Sequence, residues 1–238
     1  MKTKLFKADE RGKADFGWLK ANFSFSFGNF FDQDKIQFGM LRVLNDDTIA
    51  GGMGFGTHPH ENMEIITIPL EGGLKHRDSM GNKGVIGFGE VQVMSAGTGI
   101  EHSEMNASHH NQAKTLQLWV FPEKQNVSPR YDQKSFDLES NINSFVTVVS
   151  PYDKNNGRSL WVYQQTYFNL GIFESGTLIN YNINIPQNGV YLFVIEGEIE
   201  IDDQTLTTRD AIGITEAESF DIGIKQQAKI LVVDVPMN

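Results

Sequence analysis

The sequence is a succession of strand-length apolar runs, broken at short intervals by glycine, proline and Asx residues, with no long stretch of helical periodicity. That cadence commits a chain to an all-β sandwich or barrel. Residues 36–43 (IQFGMLRV), 63–70 (MEIITIPL), 84–94 and 115–121 (TLQLWVF) read as strands of an amino-terminal half. Turns are expected at Asn45 to Asp47, Gly72 to Gly73 and Gly81 to Asn82. Residues 122–141 (PEKQNVSPRYDQKSFDLESN) hold two prolines and little periodicity, and read as a linker with at most a turn or two of helix. A second β series follows: SFVTVVS, SLWVYQQTYFNLGIF, TLINYNINI, VYLFVIEGEIEI and AKILVVDV, with an EGE turn inside the fourth. The 238 residues therefore divide into an amino-terminal barrel (1–122), a linker (123–141) and a carboxy-terminal barrel (142–238).

Within the first half, His58 and His60 stand two apart, and His102 and Glu104 repeat that spacing some forty residues on. Residues two apart in a strand project to one face with their β-carbons roughly 6.5 to 7 Å apart, a span one metal bridges. Glycines at 51, 52, 54 and 56 precede the first pair, and Gly97 and Gly99 the second, letting the backbone turn close to a buried centre. Three imidazoles and a carboxylate suit a divalent transition metal: Fe, Ni, Cu, Mn or Zn. Strand parity also places Glu64 on the face of His60, so spacing alone leaves two candidate carboxylates, Glu64 and Glu104. The second half has no histidine, and the chain has no cysteine, so a second barrel is expected to be a metal-free copy.

The intervals resemble those of the cupin superfamily. Gly52, His58, His60 and Glu64 fit its first motif, with the closing glycine one residue late at Gly72. Gly89, Ser95, Gly97, His102 and Asn106 fit the second, with Ser95 replacing a proline and two extra residues before His102. Both departures, in GFGTHPHENMEIITIPLEG and GEVQVMSAGTGIEHSEMN, resemble the pirin family and its bacterial quercetinase-like branch; GWLKANFSFSFGNFFD and FGMLRVLNDD are similar to the family's amino-terminal signature. The resemblance covers residues 10–122 and implies a bicupin of two double-stranded β-helix barrels, with one metal, Fe(II), in the first. It further implies His58, His60, His102 and Glu104 as ligands, and makes Glu64 an acceptor that orients an imidazole. Phe23 stands where many pirins carry histidine and is expected to form pocket wall.

The activity implied is that of a quercetin 2,3-dioxygenase, which cleaves the flavonol heterocycle with O2 and releases CO, with Glu104 taking the substrate's hydroxyl proton. The alternative within the same resemblance is a non-enzymatic, iron-dependent redox regulator that binds a protein partner. His76 in LKHRDSMGN is a candidate to reach the pocket from a neighbouring strand, whereas His109 and His110 read as solvated loop. Phenylalanines 23, 25, 27, 30 and 31 read as core, with stacking on a flat aromatic ligand as the competing role.

Net charge is −10 and no basic run occurs, which disfavours direct binding to nucleic-acid phosphates. No apolar run approaches the ~20 residues of a membrane span, and MKTKLFKADERGKADFGW has no signal-peptide core. A cytoplasmic monomer acting on a small aromatic such as a flavonol is the expectation.

Overall fold

The computed structural model describes Met1–Asn238 and contains twenty strands, two 3-10 turns (Ala8–Glu10 and Glu139–Asn141) and no α-helix. No helix is long and apolar enough to cross a membrane. The first twelve strands are β1 (Lys2–Phe6), β2 (Gly12–Asp15), β3 (Leu19–Phe23), β4 (Leu41–Ile49), β5 (Gly54–His60), β6 (Glu64–Glu71), β7 (Gly73–Asp78), β8 (Lys83–Gly87), β9 (Glu90–Ser95), β10 (Ile100–Asn106), β11 (Ala113–Val120) and β12 (Arg130–Ser135). The remaining eight are β13 (Ser144–Pro151), β14 (Leu160–Val162), β15 (Tyr167–Phe173), β16 (Leu178–Asn182), β17 (Gly189–Ile201), β18 (Gln204–Thr207), β19 (Ala211–Thr215) and β20 (Ser219–Val235).

A seven-stranded sheet, β12-β9-β6-β11-β4-β3-β2, and a four-stranded sheet, β5-β10-β7-β8, make the amino-terminal barrel. One nine-stranded sheet, β1-β19-β17-β20-β15-β13-β14 with β16 on β20 and β18 on β17, makes the other. In the long strand β17, register shifts at Val194/Glu196, Glu196/Glu198 and Glu198/Ile199 relative to β20 increase the local twist, as bulges do. The expected EGE turn is thus corrected: Gly197, at φ +97, sits in a bulge inside β17, and the chain does not reverse there.

Strand alternation sorts side chains between two environments. From β11, Leu116, Leu118 and Val120 join a core shared with Phe168, Tyr191, Phe193, Leu231 and Val233 of the second half. Thr115, Gln117 and Trp119, one residue out of phase, face the interior of the first barrel. The second barrel is instead filled by its own apolar cluster, including Val190, Leu192, Val194, Ile212, Ile222 and Ile230. One barrel interior is therefore aliphatic and the other carries polar and titratable groups.

Four expectations need correction. The strand expected at 36–43 begins at Leu41, and Asn45 to Asp47 is its middle rather than a turn. Buried polar residues hold an extended conformation there because Asp46 pairs with Nη2 of Arg11 (3.3 Å), which immediately precedes β2, and with Arg209 Nε (2.9 Å) of the second half. The run 84–94 is two strands, β8 and β9, separated by Phe88 and Gly89 (φ +83). The presumed linker contributes β12, which pairs with β9 from Arg130↔Ser95 to Ser135↔Glu90, its polar side chains suited to a sheet edge. Finally, β1 belongs by pairing to the carboxy-terminal sheet, Lys2↔Thr215 through Phe6↔Ala211, so residues 1–122 are not one barrel. The turns at Gly72 (φ +70) and Gly81 (φ +94) occur where the sequence places them.

Candidate metal centre and substrate cavity

Antiparallel pairing of β5 with β10 sets His102 opposite His58 and Ile100 opposite His60. The three rings converge, with centroids 4.4 Å (His58–His102), 4.9 Å (His60–His102) and 4.9 Å (His58–His60) apart. One nitrogen from each lies within 4.8 Å of the others, a spacing suited to a shared ion. His58 Nδ1 donates to the Gly56 carbonyl (2.8 Å), which fixes the tautomer and leaves Nε2 as the free lone pair. His102 is 1% exposed, yet neither ring nitrogen has a hydrogen-bond partner. Buried polar atoms without partners are costly, and a metal bond would satisfy one of the two. Burial first, then neighbouring imidazoles, lowers His60 to about 4 and His102 to about 3. Both rings are consequently neutral, the ligating form, at neutral pH.

Glu104 lies one inward step along β10, where a register shift after His102 turns the strand. Its carboxylate accepts from Gln117 Nε2 (2.6 Å) and Thr67 Oγ1 (3.2 Å), and these partners hold it beside the imidazole group without making it part of that 4.8 Å cluster. Burial raises its proton affinity, against the opposing influence of Gln117, His76, His58 and Thr67.

Glu64 occupies a different place from the one expected. It accepts from Ser95 Oγ (2.7 Å), burial pushes its carboxyl up to about 7 against the pull of Ser95, the Tyr163 backbone and Arg130, and no imidazole bonds to it. The reason is local: β5 ends at His60, Asn62 takes a left-handed φ of 46°, and parity counted through the break no longer holds. His76 is fully buried on β7 opposite Glu104, stacked on Tyr131 (4.5 Å) and 5.5 Å from the His102 ring. Its Nε2 bonds Asp78 (3.0 Å), whose carboxyl is held below its ordinary value because Asn82 and His76 outweigh burial. His109 and His110 are exposed loop residues, as read.

A cavity of about 610 Å3 opens over His58, His60 and Glu104. Its walls are Phe16, Trp18, Phe23, Phe27, Phe30, Phe55 and Trp119, with Asn45, Asp47 and Gln117 as polar points. Trp119 contacts His60 edge-on at 4.9 Å. The phenylalanine run therefore splits by position: Phe23 is cavity wall, Phe27 and Phe30 line it as well, Phe25 is core against Tyr191, and Phe31 is 77% exposed. Asn45, Asp47, Thr67 and Gln117 carried no signal as site residues; the first two read as turn, and the others as ordinary strand polars. Another cavity, of about 620 Å3, lies near Trp18, Lys20 and His110 and contains no ligating cluster.

Two β-barrels in tandem, the first with three convergent histidines under an aromatic cavity, define a bicupin with a candidate metal centre. The family profile described as Pirin matches residues 6–120, and that described as Quercetinase C-terminal cupin domain matches residues 147–235. The chain is 39% identical over 233 residues to a protein of Escherichia coli K12 named quercetin 2,3-dioxygenase, covering 98% of each. It is 35% identical to a Caulobacter vibrioides protein named pirin-like, covering 95% of this chain and 96% of that one. The crystal structure of YhhW from Escherichia coli superposes with a TM-score of 0.93 at 39% identity, over 99% of this chain and 98% of that one. A second structure, of the bacterial pirin YhhW in complex with nickel(II), gives 0.92 at 38% identity over 99% of both chains. The chain belongs to the pirin family.

Proposed function

We propose that the protein is a dioxygenase that opens the heterocycle of a flavonol such as quercetin with O2, releasing CO. The observation that carries this reading is the convergence of three imidazoles at the base of an aromatic cavity, with both His102 nitrogens unpartnered. The name of the Escherichia coli relative supports the substrate class. His58, His60 and His102, with Glu104 as fourth ligand, would hold a divalent metal; we assign Fe(II), and the nickel(II) complex of the neighbour fits the same donor chemistry. When bound, the metal supplies Lewis acidity that lowers the pKa of a coordinated hydroxyl.

The chain's residues supply the rest. Glu104 would take the flavonol hydroxyl proton at a side-chain oxygen. Gln117 and Thr67 fix its orientation, and Gly56 fixes that of His58. The aromatic walls hold a flat ring system and limit water around it.

The test is anaerobic reconstitution with Fe(II), then addition of O2 and quercetin, with oxygen consumption and carbon monoxide measured together. The metallated protein should yield both, whereas the metal-stripped protein and His60→Ala should yield neither. No carbon monoxide above a metal-only control, across Fe, Ni, Mn and Cu and several flavonols, overturns the assignment in favour of a metal-dependent binding protein.

A further inference from the structure

Adjacent carboxyls on β4 are treated in opposite ways. Asp46 faces the second half and is clamped by Arg11 and Arg209. Asp47 faces the cavity and is 4% exposed, and its Oδ1 has no partner; Asn45, on the same face and 4% exposed, also has an unpartnered Oδ1. Two buried side-chain oxygens left unpartnered on one face destabilise a fold, and a site that retains them is a candidate for ligand contact.

Register fixes where they stand. Asn45 pairs with Gln117, the residue that grips Glu104, and Asp47 pairs with Thr115, while Trp119, which touches His60, lies on the opposite side of Gln117. Asp47 is thus one inward step, roughly 7 Å, beyond the Gln117 row and two steps, roughly 13 Å, beyond Trp119. The imidazoles of His58 and His60 and the Asp47 carboxyl line one cavity, whose walls include Phe23, Phe27, Phe55 and Trp119.

We propose that Asn45 and Asp47 form a second polar anchor in the substrate cavity, which reads a phenolic hydroxyl of a flat, multi-ring ligand remote from the oxygen presented to the imidazole centre. The anchor rests on the cavity being the substrate site, and it selects polyhydroxylated over singly hydroxylated ring systems. Either ionisation state of the Asp47 carboxyl accepts from a phenol O–H, and the Asn45 carbonyl oxygen is a further acceptor. A site built to hydrogen-bond a hydroxyl discriminates strongly against the analogue that lacks it.

The experiment compares quercetin with 3-hydroxyflavone, which keeps the hydroxyl beside the heterocyclic carbonyl and lacks all the ring hydroxyls. Binding to the anaerobic, zinc-loaded protein is read by quenching of Trp18 and Trp119 fluorescence. Quercetin should bind roughly tenfold or more tightly than 3-hydroxyflavone, and Asp47→Leu should abolish that ratio by weakening quercetin alone. Asp47→Asn, which keeps a polar group, should retain part of it, and the melting temperature of Asp47→Leu should equal or exceed that of wild type because an unpaired carboxyl is removed. A ratio unchanged in Asp47→Leu, equal weakening of both ligands, or no binding of either to wild type overturns the proposal. Asp47-dependent binding without O2 consumption by the Fe(II) form would retain the anchor and reject the dioxygenase; turnover with an unchanged ratio would do the reverse.

Discussion

His102 is the residue on which the centre turns, because it is buried between the other rings and bonds to nothing in the protein. His102→Ala should strip most of the metal by elemental analysis while the β circular dichroism signal survives, since the shared core is built on the seven-stranded sheet, to which β10 does not belong. Glu64→Gln should keep its metal, as Glu64 is engaged with Ser95. The pH dependence follows from the sign of the shift. The folded-state pKa of His102 is about 3 against an ordinary 6.5, so between these values the unfolded chain binds the extra proton and stability falls with acidification. In metal-free protein the unfolding free energy of His102→Ala, measured by urea denaturation, should therefore rise relative to that of wild type as pH drops from 6.5 to 4, by an amount on the order of 3 kcal/mol. A constant difference across that range would show that the ring is not held neutral by burial. At this scale the histidines were legible in the sequence, because metal ligation constrains residue type and spacing together. Asp47 was not, since an acidic residue preceded by Asn45 and Asp46 has the local chemistry of a turn, and only the two arginines that distant segments bring to Asp46 reveal a strand.

Among the elements, β4 links the two halves chemically as well as by packing. Replacing Asp46 with alanine leaves Arg11 and Arg209 facing each other across the interface, both largely buried, and should destabilise the protein by about 3–5 kcal/mol, measured by urea denaturation. A loss below 1 kcal/mol would mean that solvent reaches the pair. The strands that sequence reading misplaced share a cause: β12 and β1 are polar or short edge strands, stabilised by partners distant in sequence, and local hydrophobic pattern carries no information about them. Strands rich in apolar residues, such as β6 and β11, were visible to within two residues.

At the scale of the whole molecule, the largest apolar cluster draws on both barrels, so neither half buries its surface alone. Calorimetry of the metal-free protein should show one unfolding transition, and two resolved transitions would contradict the shared core. A fragment of residues 142–238 should aggregate or remain partly unfolded in size-exclusion and circular dichroism measurements, because it lacks β1 and exposes the β19 edge. Supplying residues 1–12 as a peptide should shift it toward the folded state. The bicupin fold itself was readable from motif spacing, but the exchange of the first strand between halves was not, because pairing across nearly the whole chain leaves no local trace.

That exchange also sets a clock. Lys2 and its ion-pair partner Glu216 are 214 positions apart. At a synthesis rate of about 5–20 residues per second, β1 leaves the ribosome roughly 10–40 s before β19 exists. During that interval the first barrel's strands can pair among themselves while their outward apolar face stays uncovered. A strand made about two hundred residues before its partner is among the last to find its place, and the nascent chain waits with that surface open, a natural client for whatever holds newly made proteins apart.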